Sequence, residues 1–257
     1  MPEERRRYKN PPIEEALCEF RFAPGQEWDL TLPGKLHTAI QLEYPGKPRQ
    51  QNVVEAILSS EPGQPTKMEM REGPTRVHLL TANGTRIVGI GQDVLSIHIL
   101  RPYQDPQNPD NSGWAEFRPR IVKALESYWK VSKPKGILRI DIRYINKIVI
   151  PEKKATIEEY FNWQAPSRKG IPKNVKRFIN RFEYQYEDDV LLRLTHASAD
   201  RPSAESAAFI LDLEVVWKTE NAVDKATAIG KLEDLRAKER TAFEAIITDK
   251  TRSLFDE

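Results

Sequence analysis

Four histidines are the residues of this chain best suited to acid–base or metal chemistry: His37, His78, His98 and His196. None has the short spacing to a second histidine or cysteine that holds zinc, so we predict no metal site. His78 and His98 fall on neighbouring predicted strands and could approach each other. His196 ends an apolar strand face, where a nearby carboxylate would make it a general base. For these three strand histidines a structural role is the favoured interpretation.

Other catalytic signatures are missing from the sequence, which has no Gly-rich phosphate loop, no Gly-x-Ser-x-Gly elbow and no Cys-x-x-Cys pair. Cys18, the one cysteine, alternates with two phenylalanines, which predicts an inward-facing thiol. A nucleophilic thiol needs exposure and a lowered pKa, and nothing near Cys18 supplies either. The sequence therefore favours a protein that is not an enzyme and has no cofactor.

A cluster of six cations without an intervening acid is the clearest candidate for binding a charged ligand. The cluster consists of Arg168, Lys169, Lys173, Lys176, Arg177 and Arg181. It flanks Phe178 and Phe182 at the start of a predicted strand. Cations neutralise phosphates and exposed aromatic rings stack on bases, so the cluster is a candidate nucleic-acid-binding site. The favoured alternative is a solvated loop beside aromatic core residues.

Charged residues also share faces of two predicted strands, Arg139, Asp141 and Arg143 on one and Asp212 and Glu214 on the other. Such groups could be catalytic. Opposite charges paired across strands are, however, a common feature of a solvated sheet face. The structural interpretation is therefore favoured.

The elements that must position these residues are indicated by apolar periodicity. Strands are predicted at 16–22, 77–81, 85–90, 94–100, 137–150, 178–186, 190–196 and 207–217. Asn83-Gly84 predicts a type I′ turn between the second and third of these strands. A bulge or bend is expected near Asn146, where the alternation of the long strand slips.

Helices are predicted at 32–42, 114–130, 156–163 and from 225 to the end. Ser112 is the expected cap of the second helix, and Thr156 opens a capping box for the third. The last helix carries an apolar stripe that is predicted to pack on a sheet or on a second chain. Its candidate partner-binding residues are Ile229, Leu232, Phe243 and Ile246.

Runs of consecutive strands closed by helices predict an α+β fold, with antiparallel sheet covered by helices. Two loosely similar α+β halves are expected, 1–150 and 151–257, the second ending in a long helix, or else one continuous domain. The net charge of +2 argues against a surface built wholly for nucleic acid. We expect a cytoplasmic location and no membrane association, because one cysteine forms no intramolecular disulfide and neither a signal peptide nor a membrane-spanning apolar stretch is present.

The chain ends resemble a family of uncharacterised bacterial proteins of similar length that are scattered sporadically among genomes. The first matching segment runs from Tyr8 to Phe22, with the pattern Tyr-x-Asn-Pro-Pro-Ile-x-Glu-Ala-x-Cys-x-Phe-x-Phe, and the second from Phe243 to Phe255. The family brings no catalytic residues. Its distribution implies accessory subunits carried with mobile elements or antiviral defence loci.

Three functions therefore remain open. The first is a non-enzymatic accessory or interaction protein that binds a protein partner or a second copy of itself. The second is an RNA- or DNA-binding module that uses the cationic cluster at 168–181. The third is a hydrolase or nuclease built on scattered His, Asp and Glu residues.

Overall fold

A computed structural model describes residues 6–25, 28–51, 54–59, 67–72, 75–105, 107–162, 170, 175–186 and 189–256, without the side chains of 54–59 and 67–72. Within these ranges the chain forms eleven strands and five α-helices. The strands are β1 (Ile13–Phe22), β2 (Arg49–Gln51), β3 (Val54–Ser59), β4 (Lys67–Glu72), β5 (Arg76–Leu80), β6 (Arg86–Gly91), β7 (Val94–Leu100), β8 (Ile137–Ile150), β9 (Ile179–Gln185), β10 (Val190–Ser198) and β11 (Ala207–Val223). The helices are α1 (Leu32–Ile40), α2 (Trp114–Ser132), α3 (Ile157–Tyr160), α4 (Lys225–Ile246) and α5 (Asp249–Asp256).

Nine of the strands form one antiparallel sheet in the order β2-β5-β6-β7-β1-β8-β11-β10-β9, and β3 pairs with β4 in a small second sheet. The predicted α+β class with antiparallel sheet and covering helices is confirmed. The first strand in the sequence lies in the middle of the large sheet, between β7 and β8. Strand β8 precedes residue 151 and β11 follows it, and the two pair along most of their length. The two expected halves therefore share one sheet.

The core lies between one face of this sheet and the helices. Every second residue of β8 is buried on that face, from Ile140 and Ile142 through Tyr144 to Ile148 and Ile150. Helix α4 packs on β8 and β11, and α2 packs on β7. The helical spacing of three and four residues gives each helix an apolar stripe that the sheet covers.

The hairpin at Asn83-Gly84 is present, but its turn differs from the predicted one. Strands β5 and β6 pair antiparallel as predicted, with Val77 opposite Ile90. In the turn Gly84 has a φ of 71°, whereas Asn83 does not have the positive φ that type I′ demands. The side chain of Asn83 instead accepts hydrogen bonds from the hydroxyls of Thr81 and Thr85, which stabilise the alternative turn.

Helix α2 begins after Gly113, not after a capping Ser112. The hydroxyl of Ser112 donates to the carbonyl of Asp105 or Pro109, both in the preceding loop, so the predicted cap is wrong. Irregular pairing does occur opposite Asn146, but the additional residue lies in β1, between Ile13 and Glu15. Asn146 is itself buried on the core face of an unbroken alternation.

The two later predicted helices also differ from the structure. Helix α3 has four residues and no side-chain cap from Thr156. The last helix is broken at 247–248, where Ile247 forms an isolated β-bridge with Phe161. Two separate helices, α4 and α5, therefore take the place of the one predicted helix.

Candidate functional site

Strand β9 forms one edge of the nine-stranded sheet and is the most exposed long strand whose side chains are described. Six of its seven residues are exposed to solvent. Three of these are large apolar or aromatic residues, with exposed fractions of 77% for Ile179, 39% for Phe182 and 50% for Tyr184. Large apolar side chains on a free edge are the usual mark of a surface that pairs with another strand.

The hydrogen bonds between β9 and β10 show which backbone groups of β9 are left at the edge. The amide of Tyr186 donates to the carbonyl of Val190, and the amide of Ser198 donates to the carbonyl of Phe178. In an antiparallel pair such groups alternate, so the even-numbered residues of β9 bond to β10. The N–H and C=O groups of residues 179, 181, 183 and 185 therefore point away from the sheet. Within the described ranges no strand pairs with them.

Side chains of opposite charge lie along this free edge. Arg181 and Glu183 share one face of β9, two residues apart, and both are exposed. Glu183 accepts a hydrogen bond of 2.9 Å from Nε of Arg193 on β10. Phe182 and Tyr184 share the other face, with ring centroids 6.1 Å apart.

The predicted cationic cluster lies partly on this edge. Lys176 and Arg177 are exposed just before β9, and Arg181 lies within it. Arg177 makes a solvent-exposed ion pair of 3.3 Å with Asp200. The other three predicted residues, Arg168, Lys169 and Lys173, lie outside the described residues.

The two aromatic residues of the cluster have different environments. Phe178 packs on the core, with its ring centroid 4.9 Å from that of His196 and 6.1 Å from that of Phe209. Phe182 is 39% exposed. Of these two rings, therefore, Phe182 is the one available to stack on a ligand.

The apolar stripe predicted on the last helix is used inside the molecule. Leu232 and Phe243 are buried core residues. Ile229 and Ile246 are half-buried and pack against the same core. These four side chains are therefore engaged with the core of their own chain.

The three strand histidines, His196, His78 and His98, lie in surroundings that indicate structural roles. His196 is buried among the rings of Phe161, Phe178 and Phe209. Burial disfavours the charged imidazolium and lowers the pKa of His196 to about 4. The rings of His78 on β5 and His98 on β7 do approach each other, with centroids 5.8 Å apart, but β6 lies between their strands, which are therefore not neighbours as predicted. Burial, and then the electrostatic effect of His98, lower the pKa of His78 to about 4.

One arrangement that the sequence did not indicate is a row of Ser96, His98 and Glu15. Nε2 of His98 lies 2.9 Å from Oγ of Ser96, and its Nδ1 lies 2.6 Å from Oε1 of Glu15. A nucleophilic serine would have this geometry. Ser96 is fully buried, however, and a Cβ at Gly89 would lie only 2.4 Å from its Oγ. Because no substrate can reach that oxygen, the row is a structural network across neighbouring strands.

The charged side chains predicted on β8 and β11 form ion pairs, as their structural interpretation requires. Arg143 on β8 donates to both carboxylate oxygens of Asp212 on β11, at 2.8 and 2.6 Å. Arg139 donates to Asp141 at 2.7 Å. Burial raises the pKa of Asp141 to about 6 despite this partner. These ion pairs lie on the sheet face opposite the buried apolar residues of β8.

Three further observations limit the kinds of site that the described part of the chain contains. It has no group of three His, Cys, Asp or Glu side chains placed to hold a metal ion. None of its helices is long and apolar enough to cross a membrane. Cys18 is buried, and burial raises the pKa of its thiol.

Comparison with known proteins gives no family assignment. No protein-family model matches the chain, and a search of curated proteins gives no significant match. The resemblance of the two chain ends to a sporadic bacterial family therefore stays a prediction.

Proposed function

We propose that this chain is a non-enzymatic interaction protein, an accessory subunit that binds a second protein chain by strand addition at β9. The observation that carries the proposal is the edge strand β9, whose outward backbone groups pair with no other described strand and lie beside exposed apolar side chains. Strand addition gives affinity through main-chain hydrogen bonds and specificity through alternate side chains. The burial of Ser96 and of His196 argues against a catalytic role for either residue.

The cellular setting of this subunit is a further part of the proposal. The resemblance of the chain ends supports a bacterial complex encoded with mobile elements or antiviral defence loci. One buried cysteine and no disulfide support a cytoplasmic location.

The occupant that fits the edge best is the β9 strand of a second copy. Two β9 strands can pair antiparallel about a twofold axis, and the outward-facing groups at 179, 181, 183 and 185 must then face one another. Three registers satisfy this condition near the middle of the strand. They are centred on Arg181, on Phe182 or on Glu183.

Charge selects one of these three registers. Centring on Arg181 would place two arginines opposite each other, and centring on Glu183 would place two glutamates opposite each other. Like charges directly opposite are destabilising. Centring on Phe182 places Arg181 opposite Glu183 of the second copy, twice, and packs the two Phe182 rings together. Because Arg181 has no ion pair within the described ranges, this register gives it a partner.

The experiment that tests this register is a disulfide crosslink. In the proposed dimer the two Phe182 residues form a non-hydrogen-bonded pair, with Cα atoms about 4.5 Å apart. That distance suits a disulfide, so Phe182→Cys should form a covalent dimer under mild oxidation. The native Cys18 is buried and should not interfere. Leu42→Cys, at a residue that is 96% exposed and lies beyond α1, is the matched control and should stay monomeric on the gel.

A charge exchange provides a second test. Arg181→Glu should weaken the dimer, since it places glutamates opposite Glu183, and Arg181→Glu combined with Glu183→Arg should restore it. Mass measurement by light scattering would report both effects. A wild-type chain that stays monomeric at its highest soluble concentration would rule out a second copy as the occupant.

A second candidate function is binding of single-stranded nucleic acid along the same edge. The observation that favours it is the pair of exposed rings, Phe182 and Tyr184, beside the exposed cations Lys176, Arg177 and Arg181. Stacking on such rings contributes about 1–3 kcal/mol per base. If about four of the six cations of the predicted cluster each neutralise a phosphate, the log–log salt slope should be near −3.

Paired charge reversals separate this candidate from the dimer. Lys176→Glu with Arg177→Glu should abolish binding to a single-stranded oligonucleotide at low salt. Lys47→Glu with Arg49→Glu changes the same charge at the opposite edge of the sheet and should leave binding intact. Phe182→Ala should weaken binding with little change in the salt slope. Absence of binding to RNA and DNA at low salt would exclude this function.

A further inference from the structure

A cavity of about 310 Å³ lies on the helix side of the sheet. Its walls come from four parts of the chain: the segment before β1, the loop that leads into α2, strand β8 and helix α4. Pockets for small molecules start at about this volume. Strand β9 contributes no residue to the cavity, so a ligand bound there would be independent of strand addition at the sheet edge.

Two arginines one helical turn apart on α4, Arg236 and Arg240, line this cavity. The side chain of Arg236 is only 13% exposed. Its guanidinium lies 4.5 Å from the ring centroid of Tyr144 and 5.9 Å from that of Trp114. It also donates a hydrogen bond to the buried carboxylate of Glu239. Arg236 is thus fixed by its own chain.

Arg240 differs from Arg236 in this respect. Its Nη2 atom is shielded from solvent and has no hydrogen-bond partner among the described residues. Burial, and then the charge of Arg236, lower the pKa of Arg240. A buried guanidinium donor without an acceptor is unfavourable, and charged donors bind carboxylates and phosphates more strongly than they bind neutral groups.

The carboxylates of the cavity already have partners. Glu239 accepts from Arg236. Glu244 accepts from the hydroxyl of Tyr8 at 2.8 Å and from Nε of Arg252 at 2.9 Å. The rest of the wall is mostly apolar and includes the aromatic rings of Trp114 and Phe243. Arg6 and Arg7 also line the cavity, and they pair with Asp256 and Asp110. The cavity therefore combines a mostly apolar wall with one arginine, Arg240, that has no ion pair among the described residues.

We propose that this cavity binds a small organic anion whose carboxylate or phosphate group is held by Arg240 and whose apolar body packs between α2 and α4. A neutral molecule would leave the guanidinium of Arg240, which lines the cavity and has no ion pair among the described residues, without a counter-charge. A cation would add a like charge to a cavity that four arginines line. Carboxylate and phosphate head groups are both anionic hydrogen-bond acceptors. Two aromatic probes that differ only in this head group distinguish them.

Calorimetric titration and thermal denaturation with benzoate, phenyl phosphate and benzyl alcohol test the proposal. Benzoate, phenyl phosphate or both should bind saturably and raise the melting temperature, whereas benzyl alcohol should not. Binding of only one anion supports the proposal and identifies the head group. Arg240→Met keeps most of the side-chain volume and should weaken anion binding about tenfold or more.

Arg118→Met is the matched control, since Arg118 lies on α2 outside the cavity and pairs with Glu233. It should bind the anions as the wild type does. Without ligand, Arg240→Met should melt no lower than the wild type, because it removes a buried donor that has no acceptor. The proposal is overturned if Arg240→Met binds as Arg118→Met does, if benzyl alcohol binds as well as the anions, or if no probe binds. A melting temperature for Arg240→Met well below the wild type would also contradict it.

Discussion

At the scale of single residues, the buried polar side chains set the chemistry of the interior. Asn146 donates to the carbonyl of Leu211 within the core face of the sheet. Glu239 is fully enclosed, and burial raises its pKa to about 6. Neither environment is visible in the sequence, because a polar residue within an apolar stripe normally indicates a break in the strand or helix. The bend at Asn146 was predicted for this reason, because asparagine interrupts the apolar residues of the strand. In the structure, however, the alternation of buried residues continues through Asn146.

His196 should make the protein sensitive to acid. Its pKa is lowered from 6.5 to about 4, so its contribution to stability is fully present above pH 6.5 and is lost as the pH falls through 4. The loss is on the order of 3 kcal/mol, at 1.36 kcal/mol per pKa unit. Replacing His196 by Leu should remove this part of the pH dependence in urea unfolding between pH 7 and pH 4.

Thr195→Val is the control for this prediction, because Thr195 is the neighbouring residue on β10 and does not titrate. It should show the acid sensitivity of the wild type. A His196→Leu protein with that same sensitivity would mean that the imidazole is not kept neutral by burial.

At the scale of elements, local patterns predicted most strands and helices but not their position in the sheet. Residues 178–186 alternate like a half-buried strand, and an alternation shows only which side chains share a face. It does not show whether a helix covers that face. The edge position of β9, and with it the exposure of Phe182 and Tyr184, depends on a strand order that no local pattern contains. The stripe on α4 was likewise visible, but not the sheet that buries it.

Helix α5 should contribute strongly to stability through one residue. Phe255 is buried, with its ring 5.2 Å from Tyr8 and 6.3 Å from Phe243, and its carbonyl accepts from the amide of Asn10. Replacing Phe255 by Ala should therefore lower the free energy of unfolding by about 3–5 kcal/mol. Urea denaturation would measure this as a lower midpoint at an unchanged slope.

The matched control for Phe255→Ala is Leu42→Ala, at a residue that is 96% exposed. Its effect should stay within about 0.5 kcal/mol of the wild type. A similarly small effect for Phe255→Ala would show that α5 is not docked through this ring.

At the scale of the whole molecule, strands from early and late in the sequence lie in one sheet. Strand β1 pairs with β8, β8 pairs with β11, and α4 packs on both β8 and β11. The sequence left open two halves or one continuous domain, because its strands come in two runs and sequence order does not reveal that β8 pairs with β11. Nothing local in β1 marks it as the middle strand.

Thermal unfolding of the described fold should accordingly be a single transition. The calorimetric and van't Hoff enthalpies should agree, as for one cooperative unit. The segment 1–150 expressed alone should lack fixed tertiary structure, because β8 would lose β11 and the covering helix α4. Two resolved transitions, or a folded fragment 1–150 by near-ultraviolet circular dichroism, would contradict this expectation.

The position of Cys18 makes the chain's one thiol a reporter of complete sheet opening. It lies in β1, where Ile97 of β7 and Ile142 of β8 face it on either side. A thiol reagent can reach it only after strands have separated in the middle of the sheet, while frayed edges such as β9 leave it protected. When reclosing is fast, the rate of alkylation in native buffer therefore measures the free energy of global unfolding without denaturant. If benzoate or phenyl phosphate binds the folded protein, it should stabilise that state and slow the alkylation of Cys18.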